Sequence, residues 1–233
     1  MPERFAIYYS PPAGSVLWRR AAQWLGRDPG GDEVAPVAIG DIPIARRTAL
    51  TQSARRYGFH ATIKAPMALA QGRTRQEMEA ALQSFALKER AVPIGKLVLK
   101  NLDGFLALVP EVQQTALTEF AARCVTAFEP FRAPMSEEER ARRIAAGLSA
   151  YQIGLLDHYG YPYVMDQFQF HMTLTDRLPP DAAQPFITAA EAWFEDAIAK
   201  PFKLDRLALF HQAEAEAPFR RVADFPLSTK VLI

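Results

Sequence analysis

Two of the four histidines in this 233-residue chain occur in the same short pattern. His60 lies in Phe-His-Ala-Thr-Ile and His171 in Phe-His-Met-Thr-Leu, so each is followed two residues later by a threonine, Thr62 or Thr173. Alternate side chains of a β-strand point to the same face. Each histidine is therefore expected to share a face with its threonine. One such tripeptide would carry little weight, but its repetition with matched flanks predicts one site built from two related strands.

The residue types indicate acid–base chemistry at a charged tetrahedral group. Imidazole titrates near neutral pH, so one neutral histidine can accept a proton while the other, as imidazolium, donates one. Threonine hydroxyls can donate hydrogen bonds to oxygens on which negative charge builds up in the transition state. A phosphoryl group suits this set, and the chemistry requires neither a metal ion nor a cofactor. The sequence leaves open which histidine is the acid and which is the base.

Four further residues are predicted to bind substrate. Lys64 and Thr175 continue the polar faces of the two motifs by two residues, and Tyr57 and Tyr8 could stack on a base or a sugar. Each also has an ordinary alternative, because lysine is common on surfaces and tyrosine is common in packed strands. No metal site is predicted, since the other two histidines share no metal-ligand spacing with the motifs.

Hydrophobic periodicity and turn residues predict a mixed chain of helices and strands. The predicted strands cover 4–9, 57–64, 94–100, 104–109, 166–175, 201–210 and 217–225. The predicted helices cover 14–25, 43–56, 73–90, 111–128, 136–159 and 181–198. A histidine-bearing strand, a helix and two strands follow one another twice, in 57–109 and in 166–225. We therefore predict an α+β fold, a single bilobal domain over 1–233. Its two similar lobes, each a mainly antiparallel sheet flanked by helices, would face each other across a central cleft.

Composition excludes several classes of protein. Lys and Arg number 27 against 26 Asp and Glu, a net charge of +1, so the broad basic surface of a protein that holds nucleic acid through many phosphates is absent. The single cysteine, Cys124, cannot form an internal disulfide. No apolar run approaches the roughly 20 residues of a membrane span, and the N-terminus lacks the apolar core of a signal peptide. We expect a cytoplasmic protein with no membrane partner.

The motifs resemble those of the 2H phosphoesterases, a family named for two His-x-Thr/Ser motifs in a duplicated fold. The segments RYGFHATIKAPM and GYPYVMDQFQFHMTLTDRL, with the initial RFAIYYSPP, are similar to the branch encoded in bacterial phosphonate-utilisation operons. The resemblance runs from near the N-terminus to about residue 178. It implies two lobes facing across a cleft and metal-independent phosphodiester chemistry. It also implies that His60 and His171 form the acid–base pair and that Thr62 and Thr173 bind the phosphoryl oxygens.

The sequence thus favours a phosphodiesterase that hydrolyses a cyclic phosphate or a small nucleotide- or ribose-derived phosphoester in phosphonate metabolism. Two alternatives remain open at this stage. The same cleft could bind a nucleotide or an RNA end without turnover, or it could ligate RNA ends. The physiological substrate and the oligomeric state do not follow from the residues.

Overall fold

The computed structural model describes residues 3–31 and 34–229, and within them the chain forms nine strands and eight α-helices. The strands are β1 Arg4–Tyr9, β2 Ala61–Met67, β3 Val92–Gly95, β4 Leu97–Leu102, β5 Phe105–Pro110, β6 Met172–Thr173, β7 Phe202–Leu204, β8 Arg206–Gln212 and β9 Arg220–Pro226. The helices are α1 Val16–Leu25, α2 Ile44–Ala49, α3 Gln52–Tyr57, α4 Arg75–Lys88, α5 Thr115–Ala127, α6 Glu137–Ile144, α7 Ala150–Tyr159 and α8 Pro180–Phe194.

One seven-stranded sheet organises the molecule, in the order β4-β5-β6-β2-β1-β8-β9. Every neighbouring pair in it is antiparallel. A second sheet contains only β3 and β7, also antiparallel. The predicted α+β class is confirmed. The two halves of the large sheet meet where β2, which follows His60, pairs with β6, which follows His171.

The order of the strands in the sheet differs from their order along the chain, and it mixes strands from the two repeats. The hairpin β4–β5, which follows the first histidine motif in sequence, pairs through β5 with β6 of the second motif. The hairpin β8–β9, from the second repeat, pairs through β8 with β1, next to β2. The two halves of the large sheet therefore do not coincide with the ranges 57–109 and 166–225. Each hairpin instead lies in the half of the sheet that contains the other repeat's histidine.

Several predicted elements are divided or shortened in the structure. The helix predicted at 43–56 is two short helices, α2 and α3. The helix predicted at 136–159 breaks at Gly147, whose φ is 92°. It restarts at Ser149, which forms a reciprocal capping box with Gln152. The strand predicted at 57–64 begins only at Ala61, because 52–57 complete helix α3.

The core is packed mainly against one face of the large sheet. In β1 the side chains of Phe5, Ile7 and Tyr9 join the main hydrophobic cluster, whereas Tyr8 belongs to a smaller aromatic cluster on the opposite face. This alternation follows from the two-residue period of a strand. No helix in the described ranges is long and apolar enough to cross a bilayer.

Candidate active site

The two histidine motifs meet at the centre of the sheet. Ala61 in β2 pairs with Met172 in β6 in antiparallel register. Continuing this register by one residue in each direction brings Thr173 opposite His60 and His171 opposite Thr62. The two histidines therefore occupy diagonal corners of a four-residue patch, and the two threonines occupy the other corners. Diagonal neighbours of this kind are separated by roughly 7–8 Å.

Buried phenylalanines anchor both motifs on the core side of the chain. Phe59 and Phe170, which immediately precede the histidines, are 1% and 2% exposed. Because neighbouring side chains in extended backbone point to opposite sides, burial of each phenylalanine directs the following histidine away from the core. The aromatic residue in each sequence motif thus determines the direction of its histidine.

Side chains from elsewhere in the fold hold the backbone before each histidine. Ser10 Oγ donates to the carbonyl of Phe59 at 2.8 Å. On the other side, Gln113 Nε2 donates to Phe168 O at 2.7 Å, while Gln113 Oε1 accepts from Phe170 N at 2.8 Å. Gln113 therefore makes the backbone hydrogen bonds that a neighbouring strand would otherwise make to residues 168–170. These bonds keep the segment extended although β6 itself is short.

The two imidazoles are oriented by equivalent hydrogen bonds. His60 Nδ1 lies 2.7 Å from the carbonyl oxygen of Gly58, and His171 Nδ1 lies 2.8 Å from that of Gln169. A carbonyl can only accept, so each Nδ1 must carry the proton and donate it. In the neutral imidazole this leaves Nε2 as the acceptor. In both histidines Nε2 is the nitrogen left for proton transfer.

The surroundings of His60 favour its neutral form. Its ring stacks on Tyr8 at a centroid distance of 3.8 Å, and Thr62 Oγ1 lies 3.2 Å from Nε2. Burial lowers the pKa of His60 from 6.5 to about 4; the hydrogen bond to Gly58 opposes this shift, and repulsion from His171 reinforces it. His171 is less enclosed, with Phe105 as its aromatic neighbour at 6.2 Å.

The threonines differ in what their hydroxyls contact. Thr173 lines the cleft, and its hydroxyl bonds to no residue in the described part of the chain. Thr175 also lies on the cleft wall, but it is only 1% exposed and its Oγ1 accepts from Leu106 N at 2.9 Å. The Thr175 hydroxyl thus completes the backbone hydrogen bonding between the segment after β6 and β5.

Lys64 lies on the opposite side of the sheet from His60 and Thr62, contrary to the sequence prediction. Between the pairs Tyr8–Thr62 and Ile7–Lys64, β1 advances by one residue and β2 by two, an irregularity that turns Lys64 to the core side. There its Nζ donates to Glu129 at 2.8 Å and to Val125 O at 3.1 Å. Burial lowers the pKa of Lys64, whereas Glu129 raises it. Lys64 is therefore a buried structural cation and does not line the cleft.

A cleft of about 460 Å³ lies over the motifs. Both predicted tyrosines line it: Tyr8 beneath His60, and Tyr57 stacked on Phe219 at 5.0 Å. Its wall also contains polar residues that the sequence analysis did not identify, namely Arg4, Ser53, Arg143, Tyr161, Asp176 and Arg177. Arg4 could have been found by continuing the alternation of β1 from Tyr8, and Arg177 by continuing it from His171. Arg143 and Tyr161 reach the cleft through tertiary packing and have no local signal.

Within 3–31 and 34–229, no group of three or more His, Cys, Asp and Glu side chains is arranged to bind a metal ion. The site has instead two imidazoles, two threonine hydroxyls and flanking arginines.

The model of one protein family matches residues 62–220, a range that begins at Thr62 of the first motif and contains the whole of the second. The chain belongs to this family. It is described as "Protein of unknown function (DUF1045)". The matched region includes His171 and Thr173, whereas Tyr8, Tyr57 and His60 of the cleft lie before it.

The chain is also similar to a longer bacterial protein. It is 38% identical over 230 residues to "Ribose 1,5-bisphosphate phosphokinase PhnN" of Janthinobacterium sp. (strain Marseille), covering 97% of this chain and 51% of that protein. The chain spans about half the length of the curated relatives it matches. The 233-residue sequence contains no G-x-x-x-x-G-K-[S/T] phosphate-binding loop.

Two solved structures share a distant likeness with the chain. A structure titled "Crystal structure of phosphoesterase" aligns over 98% of this chain and 100% of its own, with 11% identity and a TM-score of 0.41. E. coli LigT complexed with NADP+ aligns over 98% and 99%, with 14% identity and a TM-score of 0.42.

Proposed function

We propose that this DUF1045 protein is a metal-independent phosphodiesterase of the 2H type that hydrolyses a small cyclic phosphodiester. The observation that carries the proposal is the arrangement at the β2–β6 seam. Two imidazoles with protonated Nδ1 atoms occupy diagonal corners, and Thr62 and Thr173 occupy the others. A phosphoryl group above this patch would have a proton acceptor and a proton donor on opposite sides, with two hydroxyls available to its non-bridging oxygens.

In the proposed reaction, His60 acts as the base and His171 as the acid. Water attacks phosphorus in line with the leaving oxygen and gives its proton to Nε2 of His60. The opposite P–O bond breaks, and Nε2–H of His171 protonates the departing alkoxide. The low pKa of His60 supports its role as the base, because His60 is unprotonated at neutral pH. Thr173 donates to a phosphoryl oxygen as negative charge develops, and Thr62 does the same when its hydroxyl turns from His60 Nε2, which then accepts from the attacking water.

The proposed substrate class is a cyclic phosphate of a ribose derivative. The cleft, at about 460 Å³, suits a sugar phosphate or a mononucleotide better than a polymer. The longer relative is named for a kinase that acts on ribose 1,5-bisphosphate. Opening a 1,2-cyclic phosphate of ribose 5-phosphate at the P–O2 bond would produce that bisphosphate. The name of the relative therefore supports a ribose-based substrate in phosphonate metabolism.

The test is a substrate panel with EDTA present. It contains the 1,2-cyclic phosphate of ribose 5-phosphate, 2′,3′-cyclic nucleotides, a short RNA with a 2′,3′-cyclic end and a linear diester. We expect the ribosyl cyclic phosphate to be hydrolysed with the highest kcat/KM. Tight binding of a cyclic nucleotide with no product from any member of the panel would favour a binding module, and joining of RNA ends without hydrolysis would favour a ligase. Either result would refute the proposed hydrolase.

A further inference from the structure

One end of the cleft contains two arginines that the proposed reaction does not use. Arg4 begins β1 and shares the cleft face of that strand with Tyr8, four residues further on. Arg143 lies near the end of helix α6 and reaches the same cleft beside Tyr161. We call this group of Arg4, Tyr8, Arg143 and Tyr161 the arginine end of the cleft.

Arg4 is held in place but its charge is not neutralised. Its Nε donates to Gln212 Oε1 at 2.7 Å. Gln212 is 1% exposed and is itself fixed, since its Nε2 donates to Ala217 O at 2.7 Å. Among the residues that the structure describes, no carboxylate pairs with Arg4, and its two terminal nitrogens make no hydrogen bond. A guanidinium oriented in this way presents a free pair of donors, the arrangement with which arginine binds phosphate.

The hydroxyl of Tyr8 is a second sign of a missing partner. Tyr8 is 0% exposed, and its hydroxyl is buried without a hydrogen-bond partner in the described part of the chain. An unsatisfied buried polar group costs about 1–3 kcal/mol, so a ligand oxygen that accepts from it would be favoured. Burial raises the pKa of Tyr8 well above 10, while the charge of Arg4 opposes this. The phenol therefore remains a donor, and the charge of Arg4 acts on it.

Arg143 and Tyr161 add further donors at this end. Arg143 lies over the ring of Tyr161 at 5.9 Å, and its Nε and one terminal nitrogen both donate to Glu139 Oε1, at 3.1 and 2.7 Å. Burial raises the pKa of Tyr161 to about 12, so its hydroxyl is also protonated at neutral pH. The acidic residue on the cleft wall, Asp176, accepts from Ser53 N and lies with Thr175 and Arg177, on the far side of the histidines from Arg4.

We propose that the arginine end is a second anion subsite, which binds a phosphate monoester on the same substrate molecule whose diester lies between His60 and His171. The assignment rests on the proposed function for the position of the diester. It narrows the substrate class to sugar phosphates that carry both a cyclic diester and a separate monoester. Arg4 is the principal ligand, and Tyr8 donates from beneath.

The first test compares two substrates that differ only in the monoester, the 1,2-cyclic phosphates of ribose 5-phosphate and of ribose. We expect the wild type to prefer the 5-phosphorylated compound by at least about 30-fold in kcat/KM. Arg4→Gln should lower kcat/KM for that compound by about 10- to 100-fold, mainly through KM, and change the other by less than about 3-fold. Arg75→Gln removes an exposed arginine of the α4 Arg75–Glu79 pair and should leave both values unchanged.

A binding measurement separates failure of the subsite from failure of the proposed function. Calorimetry with ribose 5-phosphate should detect binding to the wild type and about 10-fold or weaker binding to Arg4→Gln, with a smaller loss in Tyr8→Phe. Hydrolysis of both substrates with equal sensitivity to Arg4→Gln would overturn the subsite and leave the hydrolase standing. Arg4-dependent binding without hydrolysis of either compound would support the subsite and overturn the hydrolase. Neither binding nor hydrolysis would overturn both.

Discussion

The phenol ring of Tyr8 lies almost flat against the imidazole of His60, with ring centroids 3.8 Å apart and planes inclined by 22°. Phe210 borders the same imidazole at 6.1 Å. His60 is thereby shielded from water on its ring face while its Nε2 remains at the cleft with Thr62. This contact is part of the burial that lowers the pKa of His60, which supports the proposed role of His60 as the base.

The pH dependence of catalysis should reflect this enclosure of His60. A base whose pKa is about 4 in the free enzyme is active above that pH and is lost by protonation below it. We expect the acid-side decline of kcat/KM to occur only near pH 4, where His60 becomes protonated. Tyr8→Ala should expose the ring and move the decline upward, toward pH 6.5.

The matched control for this profile is Tyr8→Phe. It keeps the stacked ring, so the position of the decline should not change even if substrate affinity does. NMR titration of the imidazole in each variant gives the pKa directly. If kcat/KM showed no decline at the pH where NMR finds His60 becoming protonated, His60 would not be the base, and the acid and base roles would have to be exchanged.

Lys64 should contribute to stability and not to substrate binding. Lys64→Met removes one member of the buried pair with Glu129, which retains Arg132 as a partner. We expect the free energy of unfolding to fall by about 1–3 kcal/mol, while KM changes by less than about 2-fold. Lys100→Met, an exposed change on β4, is the control and should alter neither. A 10-fold rise in KM at unchanged stability would contradict this and would mean that Lys64 takes part in substrate binding.

Gly58 should be needed both for the turn before His60 and for the orientation of its ring. Its φ is 78°, and an added Cβ would lie 2.6 Å from Pro29 Cβ. Gly58→Ala should therefore cost about 2–4 kcal/mol in stability, from backbone strain together with the clash. Because Gly58 O accepts from His60 Nδ1, kcat should also drop by at least about 10-fold.

The comparison variant for Gly58 is Gly72→Ala, at a φ of 79° with nothing within 4 Å of the added Cβ. This substitution introduces the backbone strain without the clash. It should therefore lower the free energy of unfolding by about 1 kcal/mol and leave kcat unchanged. Equal effects of the two substitutions on stability and turnover, measured by denaturant unfolding and steady-state kinetics, would refute the role given to Gly58.

Gln113 should position His171 without touching substrate. Gln113→Ala removes both hydrogen bonds to residues 168–170, so the segment before His171 loses its support. We expect kcat to fall by about 10-fold, with a smaller change in KM and a loss of about 1–2 kcal/mol in stability. Gln114→Ala next to it breaks only a bond to Val112 O and should have little effect. If both variants retained full kcat, Gln113 would not be a positioning residue.

Periodicity identified the segments that carry the site, because the signal for a half-buried strand is local. The alternation around His60 and His171, with buried Phe59 and Phe170, directs both rings to the same face. The same rule failed at Lys64, since an irregularity in β2 depends on pairing with β1 and leaves no mark in the residues themselves. The extended segment before His171 likewise depends on Gln113, more than 50 positions away in the chain.

The exchange of hairpins between the two halves of the sheet also lay beyond the sequence. The turn at Asp103 and Gly104 predicts the β4–β5 hairpin, but the strand with which that hairpin pairs is chosen by tertiary packing. For the same reason the arginine end of the cleft was missed in part. Arg4 follows from the alternation of β1, whereas Arg143 and Tyr161 approach from segments that are distant in sequence.

The most direct measurement is phosphorus NMR of the 1,2-cyclic phosphate of ribose 5-phosphate incubated with EDTA and each of four proteins: wild type, His60→Ala, His171→Ala and His158→Ala. His158 is absent from the cleft lining and serves as the control. The two-histidine account predicts ring opening by wild type and His158→Ala, and rates at least about 100-fold lower for the other two. Near-wild-type rates in both His60→Ala and His171→Ala, or loss of wild-type activity on adding EDTA, would contradict it.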